Sequence, residues 1–368
     1  MNAAWPPEAL PDGGLLDNRT PWRAQALPFF DDDAREGRLV VVKLQYRLAA
    51  GRPLEAMEAD PLRHDDEAEG DGGGDGGAGP GAPLRRPADV MAPQSATNVI
   101  VLGSVEAAGG EVAAFEPWIG IGATVFPLRV HGPREWRARG WATRLASLFI
   151  ARRFKCVRTG RVRRLALSWR HAYGGAGWPG NPAGTGHPAG PAKADLHGLA
   201  LPRIDDPRAP LRRWDEAPAA PHLPGAVHPR WLPRRALGGT QDGQWQATRA
   251  PALPADARPG WHDTAHPALQ FRPRLQGGEP VRLEGFAQLL PAVDFVLPHH
   301  RFTAHGWRPG SLASCPVPLD TVLIEADRQQ LTLLYRAFVP RWTQGLELRR
   351  LVLDDAASPA APPAGPPA

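Results

Sequence analysis

His262 and His266 stand four residues apart in the run HDTAH, the pair in this chain whose spacing comes nearest to metal chemistry. On a helix that spacing sets two imidazoles on one face, where they can share a zinc ion, with the carboxylate after the first acting as general base. Asp263 occupies that carboxylate position, where the zinc motif has Glu. Pro259-Gly260 before the run and Pro267 after it leave room for barely one helical turn. The run therefore reads as loop histidines. A metal-dependent hydrolase using His262 and His266, joined in space by His299, His300 or His305, stays open as an alternative. A second candidate is the stretch YGGAGWPGNPAGTGH (173–187), which holds GxGxxG in Gly175, Gly177 and Gly180. A dinucleotide loop needs a helix opening directly after the glycines, so that its N-terminus meets the pyrophosphate. Pro179, Pro182, Gly184, Gly186 and Pro188 follow instead, and no GK[ST] run occurs. A phosphate cradle is not expected there.

The remaining chemistry-bearing residues are sparse. Asp205-Asp206 are adjacent carboxylates, but their setting, LPRIDDPRAP, reads as a turn. Cys156 and Cys315 lie far apart, with no CxxC and no nucleophile context, and no GxSxG elbow exists. The basic run RRFKCVRTGRVRR (152–164) reads equally as a contact for an acidic partner or as a charged strand edge. The expectation is a protein without a catalytic set, cofactor or metal.

The elements that position these residues are strands. Among 368 residues there are 40 glycines and 43 prolines, a content that disfavours long helices and leaves short strands joined by structured turns. RLVVVKLQYRLAAG (38–51) alternates: Val40, Val42, Leu44, Tyr46 and Leu48 share one face, with Lys43, Gln45 and Arg47 on the other. That predicts a half-buried strand. Residues 98–132 read as an antiparallel meander, 142–154 as helix or strand, and 162–173 as a strand with Leu165, Leu167 and Trp169 on one side. Strands are also expected at 281–286, 293–298 and 346–354, and a hairpin over 320–340 around the polar EADRQQ. Between 174 and 280 regular structure nearly vanishes, while Trp178, Trp214, Trp231, Trp245 and Trp261 recur. Such a stretch inside a domain is expected to be an ordered functional surface. The fold class is mainly β: antiparallel sheets, sandwich-like or meander, with long ordered Gly/Pro/Trp-rich loops and little helix. The chain divides into an N-terminal tail (1–19), one β-rich domain (20–355) and a Pro/Ala tail (356–368). A Gly/Asp-rich loop (64–84) interrupts the domain and is expected to be flexible.

A formal net charge of +5 comes from 43 Lys and Arg against 38 Asp and Glu. That excess falls short of a nucleic-acid-binding signature. No secretory signal pattern opens the sequence and no stretch has the length of a membrane span, so a cytoplasmic protein is expected.

Several short motifs, in order from Thr20 to about Pro340, make the chain resemble the β-rich family catalogued as domain of unknown function 2169, found in bacterial type VI secretion gene clusters. VVVKLQY is similar to its opening strand, and NVIVLGSVEAAGG to a later one, with Asn98 where Asp is usual. Its hallmark, an aromatic strand running into Gly-Gly and then NP-G-G, stands here as Tyr173, Gly174, Gly175, Asn181, Pro182, Gly184 and Gly186, with His171 in an Arg position. LPRIDDP, GTQDGQW (239–245, Gln241 replacing Tyr) and LPADARP follow the family's order. Its closing hairpin resembles 320–340, with Tyr335 before Arg336. The resemblance implies a cytoplasmic, non-enzymatic adaptor or chaperone that binds a toxic effector and loads it onto the secretion spike, through the PAAR tip protein or the VgrG trimer. Gly174, Gly175, Pro182, Gly184, Gly186, Gly239, Thr240 and Asp242 are then turn residues. Trp169, Tyr173, Trp178, Asn181, Trp231 and Trp245 are the candidates for partner contact, since Trp concentrates binding energy at interfaces. A carbohydrate- or cell-wall-binding β module is a further alternative.

Overall fold

The β-branched run Val40-Val41-Val42 lies inside the longest strand, Glu36–Arg47. A computed structural model describes residues 8–9, 15–70, 82–138, 154–188, 196–213, 216–218, 220–308, 311–340 and 350–355. In it the chain is mainly β, built from several mostly antiparallel sheets, with one short α-helix among the described residues.

The largest sheet has seven strands. Six run in the order Gln270–Phe271, Thr97–Leu102, Leu319–Glu325, Gln330–Pro340, Glu36–Arg47 and Arg23–Phe30, and Glu55–Met57 also pairs with Glu36–Arg47. The hairpin expected over 320–340 is present, closed by a 3-10 turn at Ala326–Arg328 and Gln329 in the left-handed region. Thr97–Leu102 lies parallel to Leu319–Glu325. A second sheet of four antiparallel strands runs Thr124–Pro127, Trp118–Ile121, Pro280–Glu284 and Ala292–Val296. A third contains Phe302–Arg308 between Ser311–Val317 and Arg350–Asp355, and Arg350–Asp355 in turn takes Leu15–Asn18 as a parallel neighbour. The strands expected at 281–286 and 293–298 thus exist, and 350–355 supplies the described part of 346–354.

Several expectations are corrected. The 38–51 strand is not half-buried: Val40, Val42, Leu44, Tyr46 and Leu48 enter the main core, and Leu39 and Val41 pack on Leu62 and Leu334 across the sheet. Lys43 and Gln45 are each 2% exposed, because segments around Asp60 and Asp89 cover that face. The Lys43 ammonium meets the Asp89 carboxylate at 2.7 Å, which offsets the cost of burying both charges. The 98–132 region is a meander only in part. Trp118–Ile121 pairs with the next strand and Ala114–Phe115 reaches Arg129–His131, but Thr97–Leu102 and Ser104–Glu106 pair with remote segments. The 162–173 strand is shorter than its alternation suggests. Arg164–Ala166 is strand, and Ser168 then caps a 3-10 turn, Trp169–His171. Both ends of the 64–84 loop are ordered, since Glu67–Ala68 pairs with Leu84–Arg86. Leu15–Asn18, placed in the N-terminal tail by its sequence, is a strand because Leu16 is buried in the main core. Most of 142–154 lies outside the described residues, as does the tail 356–368.

One apolar cluster joins the seven- and four-stranded sheets to the Pro/Gly-rich region. It contains Val99, Val101, Ile119, Leu283, Leu323 and Leu333 together with Trp169, Leu223, Val227, Trp231 and Ala265.

Candidate functional site

Loop 173–187 is built around Asn181, which is fully buried. Its Nδ2 donates to the carbonyls of Trp169 at 2.7 Å and Tyr173 at 3.2 Å. Its own carbonyl accepts from the N–H groups of Gly175 and Gly184. Tyr173–Gly174 and Thr185–Gly186 consequently lie side by side as a short parallel pair. The glycines are required by space as well as by turn geometry. A methyl at Gly174 would overlap the Asn181 carbonyl, and one at Gly184 would overlap the Asn181 amide and the Ala172 carbonyl. Gly175 (φ +148°) and Gly186 (φ +106°) also hold conformations that side chains disfavour. In this setting GxGxxG forms a knot of chain around an asparagine.

The six side chains read as candidates for partner contact divide by burial. Trp169 and Trp231 are interior, with rings edge-to-face at 5.7 Å, and the Trp169 indole N–H donates to the Ala226 carbonyl. Burial therefore corrects the reading of Trp169, Trp231 and Asn181 as contact residues: their side chains tie the loop region to the sheets. Tyr173 is 5% exposed, and its hydroxyl lies 3.3 Å from His187 Nδ1. Trp178, half-buried, stands edge-on to Tyr173 at 4.9 Å. Trp245, also half-buried, sits in the helix Gly243–Thr248, which Asp242 caps. Its indole N–H donates to the Ala252 carbonyl. Thr240 bonds the Asp256 carboxylate through its N–H and hydroxyl, and Gly239 (φ +72°) turns the chain beside it. Trp214 lies outside the described residues.

HDTAH is not helical, and its two histidines face different surroundings. His262 lies 2.7 Å from an Asp32 carboxylate oxygen near the surface, whereas His266 packs edge-on to Phe126 and His222. Among the described residues no His, Cys, Asp or Glu cluster has the arrangement of a metal site. Asp263, between them, is the structural centre of the motif. Its side chain accepts from the N–H groups of Ser95 and Ala96, the Ser95 hydroxyl, Asn98 Nδ2 and Arg272. Asn98 in turn accepts from the N–H groups of Thr264 and Ala265. The pair stitches this loop to the Thr97–Leu102 strand.

Beside the Asn181 loop the chain leaves a cleft of about 570 Å³. Tyr173, Ile204, Pro210 and Leu211 supply apolar walls, and Asp206, His222 and His266 supply polar atoms. Asp205 at its edge is engaged by Arg134 at 2.6 Å and His131 at 3.1 Å. Burial works to raise its pKa, but these partners, His131 foremost, bring it below the usual carboxylate range. The His222 ring stacks on Phe126, with centroids 4.2 Å apart and planes 8° from parallel. Burial pushes its pKa down, while the Pro127 carbonyl and Asp206 act the other way. Burial and then His222 push the pKa of His266 down to about 3, so its ring is neutral at ordinary pH.

The sequence pointed to Tyr173 and to the Asp205-Asp206 pair, which do line this cleft. It gave no sign of His222, whose neighbours PHLPG carry no motif, nor of the Asn98–Asp263 link between positions more than a hundred residues apart. No curated protein and no solved structure matches the chain. The model of a family described as uncharacterized protein conserved in bacteria (DUF2169) matches residues 33–336. Covering more than half of the sequence and spanning the Asn181 loop, the cleft and the closing hairpin, that match makes this chain a member of the DUF2169 family.

Proposed function

We propose that the protein is a non-enzymatic adaptor of a bacterial type VI secretion system. On this reading it works in the cytoplasm, binds a toxic effector and passes it to the spike, through the PAAR tip or VgrG. One observation carries the proposal: in the irregular loop at 173–187, Asn181 bonds the carbonyl of Trp169, whose ring packs on Trp231 in the core. A surface fixed before binding loses less conformational freedom on association, which favours affinity for a protein partner. The groups that a hydrolytic reading would recruit are engaged elsewhere. Asp263 serves the fold, Asp205 is paired, and His262 and His266 open onto different hollows. Of the six candidate contact residues, Trp178 and Trp245 are the ones left half-buried and open to a partner.

The test is co-expression of the tagged full chain with the effector, PAAR and VgrG proteins of a type VI secretion system from the same genome. Recovery of the effector with the chain, with or without PAAR or VgrG, is the expected result. Recovery of neither rejects the adaptor reading.

A further inference from the structure

The cleft beside Tyr173 contains a polar gap that its own residues leave open. His222 Nε2 lies 2.7 Å from the Pro127 carbonyl oxygen. A carbonyl only accepts, so Nε2 carries the proton, and in a neutral imidazole Nδ1 is then a bare acceptor. That atom faces Asp206 Oδ2 at 3.8 Å. Both are acceptors, and the separation exceeds a hydrogen bond. The other carboxylate oxygen, Oδ1, is already taken by the backbone N–H and the Nε of Arg208. No donor among the described residues reaches either His222 Nδ1 or Asp206 Oδ2. A group with two donor hydrogens placed about 2.8 Å from each would bridge them.

We propose that the cleft receives an extended segment of a partner polypeptide whose lysine ammonium is shared between Asp206 Oδ2 and His222 Nδ1. This rests on the adaptor reading and names the chemistry by which such an adaptor would hold its cargo. Three features select lysine. The acceptors are a carboxylate and a neutral imidazole, so the complementary group is a cation or a neutral donor, and an anion is excluded. A guanidinium matches both oxygens of one carboxylate as a fork, but Oδ1 is occupied, whereas an ammonium is a compact group with three donors. The walls of Pro202, Ile204, Ala209, Pro210 and Leu211 are apolar and suit the butylene stem. Stacking on Phe126 and the bond to Pro127 hold the imidazole in place before the ligand arrives. Among the lining residues the carboxylates of Asp205, Asp206 and Glu216 outnumber the guanidiniums of Arg208 and Arg212 by one, which leaves room for one further cation.

The probe is the peptide N-acetyl-Pro-Lys-Pro-amide, titrated into the full-length protein and followed by the ring resonances of His222. A saturable shift is expected, with affinity at least about tenfold weaker for Asp206→Asn, the loss of one charge-assisted hydrogen bond. The amide introduced by that change would donate to His222 Nδ1 and fill the gap internally. The same peptide with norleucine in place of lysine, tested on the unaltered protein, is expected to bind at least about tenfold more weakly. Equal binding of the norleucine peptide overturns the proposal, as does the absence of a saturable shift at roughly 10 mM peptide, about ten times a millimolar Kd. Effector capture separates the two readings. Undiminished capture by Asp206→Asn overturns the lysine site and leaves the adaptor role standing. A lysine-dependent shift in a protein that captures neither effector nor spike does the reverse.

Discussion

His266 sits among aromatic rings with its pKa pushed down to about 3 by burial and by His222, while its Nδ1 accepts the Ala268 N–H. The unfolded chain binds a proton near pH 6.5, the ordinary histidine value, and the folded protein does not until about pH 3. A base depressed in this way contributes stability that is complete above the unfolded pKa and is lost as pH falls toward the folded one. The slope is at most about 1.4 kcal/mol per pH unit for one proton. His222, lowered in the same direction, adds to it. His266→Gln keeps an acceptor for Ala268 without the titration. The stability difference between the unaltered protein and this variant should therefore shrink as urea denaturation is repeated from pH 7 down to about 4. A difference that stays constant with pH would show His266 to be solvated.

Among the elements, the Asn181 loop is the one whose construction is most specific. Its conformation depends on an amide inside a ring of backbone, and a tryptophan at its tip contributes little to that. Asn181→Ala would strand the carbonyls of Trp169 and Tyr173 and the space around them, a loss of about 2–4 kcal/mol. Gly174→Ala acts through the same contact, since its methyl meets the Asn181 carbonyl, and an overpacking cost of about 1–3 kcal/mol is expected. Trp178→Ala, at a half-buried position, should cost less than either. Urea midpoints in this order check the account, and a Trp178 effect larger than that of Asn181 contradicts it.

For the whole molecule, the loops and sheets share one apolar core, so they are expected to unfold together. Six of the thirteen tryptophans, from Trp169 to Trp261, lie on the loop side and weight the fluorescence toward it, while dichroism reports on the strands. Fluorescence and far-ultraviolet circular dichroism should give coincident transitions. Asp263→Ala removes the acceptor for groups on Ser95, Ala96 and Asn98 and leaves Arg272 without its buried partner. Both transitions should then move together to lower denaturant, chiefly through the stranded buried donors, by about 2–4 kcal/mol. An early fluorescence change with the dichroism intact would mean that the loop region is a separate unit. The same substitution made for a metal ligand would instead act through metal content and leave the metal-free protein unchanged.

What was legible along the chain is what local chemistry expresses. Alternating Val, Leu and Tyr in 38–48, the abundance of Gly and Pro, and a polar turn between apolar runs at 320–340 carried the mainly β class and the closing hairpin. The NP-G-G stretch marked a constrained loop, and its resemblance named the family. Alternation, however, describes one face of a strand. The second covering of Glu36–Arg47, with Lys43 buried against Asp89, depends on a segment that returns from elsewhere. So do the parallel alignment of Thr97–Leu102 with Leu319–Glu325, the grip of Asn98 and Asp263 on each other, and the approach of Asp206 to His222. Those features belong to the tertiary structure alone, because they are distances between residues that no local spacing relates.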